Sequence, residues 1–289
     1  MIDTGRLGLG TAPLAGLYEP VDDDTAPRVV DRALELGIRY FDTAPYYGSG
    51  LAERRLGTAL RAVPRDRVVV STKVGRLLRP GASGWTGAYF DFSLDATLRS
   101  LDESLGRLGL DRVDIALVHD PDDHYEEALA GALPALARLR EEGVVRAIGA
   151  GMNQAEMLSR FVRETDIDCV LVAGRWTVLD RSAGEELLPL CEERGVAVIA
   201  GGVFNSGVLA GGDTFDYERA PNGVVARVEQ LRETSARHGV SLPAAAVQFP
   251  LRHAAVVSVL VGCRTAEEVA EDVHLAGLEL PPALWSELG

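Results

Sequence analysis

Lys73 is the only lysine among the 29 lysine and arginine residues of this chain. Where arginine fills every other basic position, the surviving lysine marks a place for a compact ammonium rather than a planar, permanently charged guanidinium. It ends the run Val68-Val69-Val70-Ser71-Thr72, which reads as a buried strand opening onto a turn at Gly75. Two similar runs end on reactive side chains: Arg39-Tyr40-Phe41 leads to Asp42 and then to Tyr47, and Val113-Asp114-Ile115-Ala116-Leu117-Val118 leads to His119. A free tyrosine ionises near pH ~10, and a neighbouring ammonium favours the phenolate while a carboxylate holds that ammonium in place. An imidazole beside them can orient a reacting oxygen. The set is acid/base equipment for interconverting a carbonyl and an alcohol, with hydride supplied by a cofactor. Each residue also has a plainer reading: Lys73 as a leftover surface lysine, Asp42 as a turn cap, Tyr47 as a packing aromatic, His119 as a satisfied histidine. Convergence of all four on one face is what argues against the plainer readings.

The elements that must position them recur along the chain. Short β-rich runs at 6–11, 39–43, 67–73, 113–119, 147–151, 169–173, 196–201 and 256–261 alternate with amphipathic stretches. Those stretches lie at 26–35, 51–61, 94–105, 126–142, 154–163, 184–194, 223–238 and 265–276. Gly37, Gly106, Gly143, Gly195 and Gly239 fall where helix ends want a left-handed residue. Eight strands alternating with helices predict parallel βαβ units, and eight is the number that closes a barrel. The expected fold class is α/β: a single (β/α)8 TIM barrel spanning 1–289 as one domain, with an extra helical piece at 242–253. An open dinucleotide-binding sheet wants Gly-x-Gly-x-x-Gly after its first strand. Gly8-Leu9-Gly10 continues as Thr11-Ala12-Pro13, and Gly149-Ala150-Gly151 meets Gln154 in the third slot, which disfavours that arrangement.

The net charge of -14 and a pI near 4.8 argue against a nucleic-acid partner. No run approaches a membrane span in length, and Met1-Ile2-Asp3-Thr4-Gly5 has no basic leader, so neither membrane association nor a signal peptide is expected. Cys169, Cys191 and Cys263 are scattered and odd in number, pointing to reduced thiols, a cytoplasmic protein and no metal set.

The segment Phe41-Asp42-Thr43-Ala44-Pro45-Tyr46-Tyr47-Gly48-Ser49-Gly50-Leu51-Ala52-Glu53 resembles the signature of the aldo-keto reductases. Ser71-Thr72-Lys73-Val74-Gly75 and Leu117-Val118-His119 are similar to that family's other two catalytic segments, and the likeness runs from about residue 7 to 276. The resemblance implies that Asp42, Tyr47, Lys73 and His119 form a catalytic tetrad on a (β/α)8 barrel, with Tyr47 the general acid/base. Within the family, Arg76-Leu77-Leu78, His119-Asp120-Pro121-Asp122, the segment from Val145 to Asn153 and Phe204-Asn205-Ser206-Gly207-Val208-Leu209 are most similar to bacterial aldose 1-dehydrogenases. That group includes L-fucose, D-threo-aldose and galactose dehydrogenases and pyridoxal 4-dehydrogenase, which oxidise a cyclic hemiacetal to a lactone.

The same resemblance implies a nicotinamide cofactor. Asn153 falls where the family holds the carboxamide, though it also suits a helix N-cap. Phe204 falls where an aromatic stacks on the nicotinamide, and the Asn205-Ser206-Gly207 turn offers backbone N–H groups to a pyrophosphate. The segment Val172-Ala173-Gly174-Arg175 lacks the glutamine that many members carry there, leaving one carboxamide contact unassigned. After the eighth strand, Arg264 stands against Glu267, Glu268, Glu271 and Asp272. Arg264, Glu268 and Asp272 are the candidate adenosine contacts. Glu268 occupies the usual arginine position, where it repels a 2′-phosphate and can accept from a ribose hydroxyl, so NAD is expected ahead of NADP. Alternatively these acids simply favour a helix N-terminus.

The expected substrate is a small aldose or aldehyde, with Tyr18, Trp85, Tyr89 and Trp176 as candidate walls and the loops at 79–91 and 211–222 shaping the pocket. Aldehyde or ketone reduction is the same chemistry reversed and is the leading alternative. A Schiff-base lyase using Lys73 wants a depressed amine pKa, which Asp42 opposes. A hydrolase built on His119, Asp120, Asp122 and His124 lacks a second ligand pair. A cofactor-sensing, non-catalytic barrel is the remaining class.

Overall fold

The computed structural model describes residues 2–288. Eight parallel strands form a closed barrel: β1 (Leu7–Gly10), β2 (Tyr40–Asp42), β3 (Val69–Val74), β4 (Ile115–His119), β5 (Ala147–Met152), β6 (Cys169–Ala173), β7 (Ala197–Gly201) and β8 (Val256–Gly262). Each strand pairs with the next in sequence, and β8 closes the ring on β1, with Leu7 opposite Val259 and Gly10 opposite Gly262. The connections carry helices α1 (Thr25–Glu35), α2 (Leu51–Leu60), α3 (Leu94–Leu108), α4 (Leu133–Glu141), α5 (Ala155–Glu164) and α6 (Leu187–Arg194). They continue with α7 (Asn222–Arg237), α8 (Leu242–Gln248), α9 (Ala266–Gly277) and α10 (Pro282–Leu288).

The two-residue period of the strands separates two cores. One set of side chains (Phe41, Val70, Val74, Ala116, Val118) points out against the helices. The other (Tyr40, Val69, Ile115, Leu117, Leu171, Leu260) fills the barrel. The inward register then runs on into chemistry: Tyr40 to Asp42, Val69 to Ser71 and Lys73, Leu117 to His119. Apolar layers below thus support polar ends above. Gly8 makes room for this: a Cβ there would stand 2.7 Å from the Tyr40 ring and 2.9 Å from Leu260.

Several elements differ from the sequence expectation. The third helix does not stop at Gly106 but runs to Leu108, where Gly109 takes the left-handed cap. The stretch at 126–142 is helical without a break from Tyr125 to Glu141, but a π-helical turn, Ala128–Ala132, interrupts its α-helical ladder just before Pro134, the second residue of α4, which has no N–H to continue it. The stretch beginning at Gly184 becomes a 3-10 turn, Ser182–Gly184, before α6. Two hairpins, Arg76–Leu78 with Ala88–Phe90 and Thr214–Phe215 with Glu218–Arg219, and helix α10 were not foreseen. Among the described residues, no helix is long and apolar enough to cross a membrane.

Candidate active site

Asp42 ends β2, Lys73 lies near the end of β3, and His119 ends β4. Lys73 is 2% exposed, yet all its polar needs are met. Its Nζ donates to Asp42 Oδ2 at 2.7 Å, to the Thr43 carbonyl at 2.9 Å and to Tyr47 Oη at 3.1 Å. Burial alone pushes the Lys73 pKa down, but Asp42, Tyr47 and their hydrogen bonds outweigh it, and the net shift is upward. A charged, fully committed ammonium does not suit the Schiff-base reading.

Asp42 is fixed from behind by a buried relay. Tyr40 Oη lies 3.0 Å from Ser71 Oγ, and Ser71 donates to Asp42 Oδ1 at 2.6 Å. Tyr47 is delivered by the tight turn after β2. At its end, Ser49 donates to the carbonyls of Gly84 and Thr86, pinning the 79–87 loop that places Trp85 5.9 Å from the Tyr47 ring. The turn after Lys73 needs glycine at Gly75, where φ is 94° and a Cβ would fall 2.1 Å from Phe92.

Against expectation, the tyrosine is not acidified by these neighbours. Burial raises the Tyr47 pKa above 10, and the opposing pull of Lys73 does not overcome it. His119 is shifted well below its usual value, first by burial and then by Lys73 and Arg76, so it is a neutral imidazole near pH 7. Its ring is nearly perpendicular to that of Tyr47, with centroids 5.9 Å apart. Among the described residues, the buried His119 Nδ1 has no hydrogen-bond partner.

These groups share a cavity of about 560 Å³. Its lining includes Tyr47, Lys73, His119, Trp85, Asn153 and Tyr217. Of the candidate walls, only Trp85 belongs to it directly. Tyr18 stacks on Tyr217 at 6.5 Å, across its rim, and Tyr89 lines a smaller adjoining space with Tyr46, Arg76 and Trp85. Trp176 is a correction: it packs on Phe249 at 5.0 Å and donates to the Pro250 carbonyl, beside an apolar cluster that includes Val228, Leu242 and Leu284 of α7, α8 and α10. The 79–91 and 211–222 segments do contribute, through Trp85, Phe90 and Tyr217.

The nucleotide candidates fall on the same end of the barrel. Asn205, Ser206 and Gly207 have φ of 45°, 59° and 101°, a run of left-handed residues in which the Asn205 and Gly207 N–H groups donate to the Gly202 and Phe204 carbonyls at 2.8 and 3.0 Å. Asn205 Nδ2 donates to the Gly174 carbonyl at 3.0 Å, while its buried Oδ1 has no partner among the described residues. Phe204 is the residue just before this turn. Glu268 accepts from Arg264 N at 2.6 Å and from Arg264 Nη2 at 2.9 Å, and Glu19 lies 2.8 Å from Arg264 Nη1. Asp272 departs from its expected place: it turns to Cys263, whose Sγ is 3.3 Å away. An orphaned amide oxygen on Asn205 and the Asn153 carboxamide on the cavity wall fit a nicotinamide nucleotide.

The sequence placed Arg76 and Asp120 in family-like segments, and Asp120 in a metal-ligand set, without foreseeing that the two pair. Arg76 and Asp120 line the cavity as an ion pair, 2.6 Å between Nη1 and Oδ2, with the guanidinium 3.5 Å above the Tyr46 ring. The only signal for the pairing was adjacency, three residues after Lys73 and one after His119. Glu53, fully buried, was visible in the motif, but its partners were not: Arg107 Nε at 2.5 Å and Thr72 Oγ1 at 2.7 Å, a lock between α2, α3 and β3.

Comparison with known proteins agrees with this geometry. The aldo/keto reductase family model matches residues 6–288, and the chain belongs to that family. It is an oxidoreductase acting on alcohol and carbonyl carbons. It is 42% identical to the D-threo-aldose 1-dehydrogenase of a Pseudomonas species, and 40% identical to the pyridoxal 4-dehydrogenase of Microbacterium luteolum. Each match covers 98% of this chain and 92% of the relative. The solved holo structure of an aldo-keto reductase from Bacillus halodurans superposes with a TM-score of 0.83 at 27% identity, covering 100% of this chain and 95% of that one.

Proposed function

We propose that this protein is an aldose 1-dehydrogenase that oxidises the C1 hemiacetal of a sugar of the L-fucose, D-arabinose or galactose type, or of pyridoxal, to a lactone, with NAD preferred over NADP. The observation that carries this reading is the Lys73 ammonium held between Asp42 and Tyr47, with a neutral imidazole on the same cavity. The names of the two similar dehydrogenases support the hemiacetal substrate.

In this reading Tyr47 takes the proton of the anomeric hydroxyl as the C1–O bond becomes a carbonyl. A nicotinamide held on this cavity would accept the hydride leaving C1, so a hydride and the Tyr47-bound proton, two electrons and two protons in all, leave the sugar. Lys73 stabilises the phenolate that starts the step, and Asp42 keeps Lys73 in place. His119 donates to the C1 oxygen and fixes its position. Asn153 and the turn from Phe204 to Gly207 would hold the nucleotide. Run in reverse, the same residues protonate an aldehyde oxygen, so direction follows the reactants.

Initial rates of reduced-nicotinamide formation with NAD+ or NADP+ and a panel of L-fucose, D-arabinose, galactose and pyridoxal test the proposal. Turnover with one of these and NAD+, reduced about 10³-fold or more in Lys73→Met while cofactor binding persists, is the expected result. No oxidation across the panel, with aldehydes reduced instead, would replace it by the reductase reading.

A further inference from the structure

Asp120 follows His119 directly and has no part in the steps above. Its φ is 46°, a left-handed conformation uncommon for a residue with a side chain, although aspartate tolerates it better than most. Pro121 disfavours a right-handed helical turn at this position, and Asp120 N donates to the Gly151 carbonyl at 3.1 Å. The backbone is therefore held where the carboxylate joins the cavity wall beside the imidazole.

The two oxygens of this carboxylate are not equivalent. Oδ2 accepts from Arg76 Nη1 at 2.6 Å and lies 3.5 Å from His119 Nε2. Oδ1 has no hydrogen-bond donor among the described residues. Burial pushes the Asp120 pKa up and Arg76 opposes that push. A carboxylate anchored through one oxygen, with the other free in a cavity, is an acceptor waiting for a donor.

We propose that Asp120, anchored by Arg76, accepts a hydrogen bond from the C2 hydroxyl of the sugar and thereby selects 2-hydroxylated hemiacetals over 2-deoxy analogues. This rests on the aldose reading given above. If His119 holds the C1 oxygen, its neighbour 3.5 Å away meets atoms bonded to the carbons next to C1 or to C1 itself. Two oxygens qualify, the ring oxygen and the C2 hydroxyl. The ring oxygen has no proton and would be repelled by a carboxylate. Only the C2 hydroxyl can donate. Asp120 is thus a specificity-determining residue, and Arg76 positions it.

The test compares kcat/KM for galactose and 2-deoxygalactose, or for whichever aldose of the panel is oxidised fastest and its 2-deoxy form, in the full-length protein with saturating NAD+. The wild type is expected to prefer the parent sugar by about 30-fold, the range of a hydrogen bond to a charged acceptor. In Asp120→Ala the preference falls to within about 3-fold, because the parent loses an interaction the 2-deoxy sugar never had. Asp120→Asn, which keeps an acceptor oxygen, retains part of it. Equal use of both sugars by the wild type, or an undiminished preference in Asp120→Ala, overturns the proposal and leaves the dehydrogenase reading standing. Absence of oxidation with every aldose defeats that reading and this inference with it. Should Asp120→Ala melt early or fail to bind NAD+, Arg76→Met takes its place: a smaller preference supports the assignment, and an unchanged one sinks it.

Discussion

Ser71 and Lys73 stand two residues apart on the inward face of β3 and share one carboxylate: Ser71 Oγ donates to Asp42 Oδ1 at 2.6 Å, and Lys73 Nζ to Asp42 Oδ2 at 2.7 Å. The acid that holds the ammonium is itself held. Tyr40 extends the line into the barrel core, 3.0 Å behind Ser71. Removing Ser71 Oγ frees one carboxylate oxygen and leaves the Tyr40 hydroxyl unpaired in a buried place. We expect Ser71→Ala to lower kcat about 3–10-fold with little change in KM, and to cost about 1–3 kcal/mol of stability. Denaturant unfolding and steady-state kinetics on the same preparation check this. A purely structural loss, with kcat intact, would show that Asp42 needs no support from behind.

The pH dependence of oxidation follows from the surroundings of Tyr47 and His119. Burial leaves Tyr47 above its ordinary pKa despite Lys73, so the phenolate needed as base becomes more abundant as pH rises. His119 is shifted down and stays neutral, so it adds no break close to its ordinary value of 6.5. Log kcat/KM for hemiacetal oxidation is expected to climb through pH 7–9 without a plateau below about pH 9. In Lys73→Met the ascending limb moves to higher pH, because the group that favours the phenolate is gone. A profile already flat at pH 7 would mean that nucleotide binding, rather than Lys73 and burial, sets the tyrosine.

The barrel and the placing of Asp42, Lys73 and His119 at its strand ends were legible from simple periodicities, whereas Tyr47, in the turn after β2, came from the likeness of its segment to the family signature. The inward register of β2, β3 and β4 follows from alternation alone, and that register carries Asp42, Lys73 and His119 to one end. What alternation does not encode is who meets whom across loops. Arg76 and Asp120 come from different strand ends, and their pairing depends on a hairpin and on a left-handed aspartate that no periodicity announces. Trp176 failed as a pocket wall for the complementary reason: an aromatic after a strand end looks the same whether it turns towards the cavity or onto Phe249. The sign of the Tyr47 shift was also out of reach, since it depends on how completely the turn and Trp85 bury the ring.

In the proposed reading, cofactor choice turns on Glu268. Arg264 is the one basic residue expected near the adenosine ribose, and it is engaged by both Glu268 and Glu19. A 2′-phosphate arriving there would meet two carboxylates before it met a free guanidinium. Glu268→Gln keeps an acceptor for Arg264 N but removes one charge. It is expected to lower the ratio of kcat/KM with NAD+ to that with NADP+ about tenfold, equivalent to about 1.4 kcal/mol. Dissociation constants for both nucleotides, read by fluorescence quenching, separate this from an effect on turnover. A ratio that stays fixed would remove Glu268 from the discrimination.

Asp272 offers a stability prediction whose sign can be worked out. Burial raises its pKa to about 6, with Glu268 and Glu271 adding to the rise and the Cys263 contact opposing it. The unfolded value is near 3.8, so folding favours the protonated acid. Its contribution is complete below about pH 4, is lost as pH rises through 6, and at pH 7.5 the buried charge costs on the order of 2–3 kcal/mol. Asparagine fills the same space, can still accept from Cys263 and carries no charge. Asp272→Asn is therefore expected to be more stable than the wild type at pH 7.5, with the advantage shrinking through pH 5 and gone by about pH 4. Guanidinium unfolding at four pH values measures it. An advantage of the same size at every pH would come from packing and not from ionisation, and a loss at pH 7.5 would mean that the carboxylate has a cationic or hydrogen-bonding partner in solution that outweighs its burial.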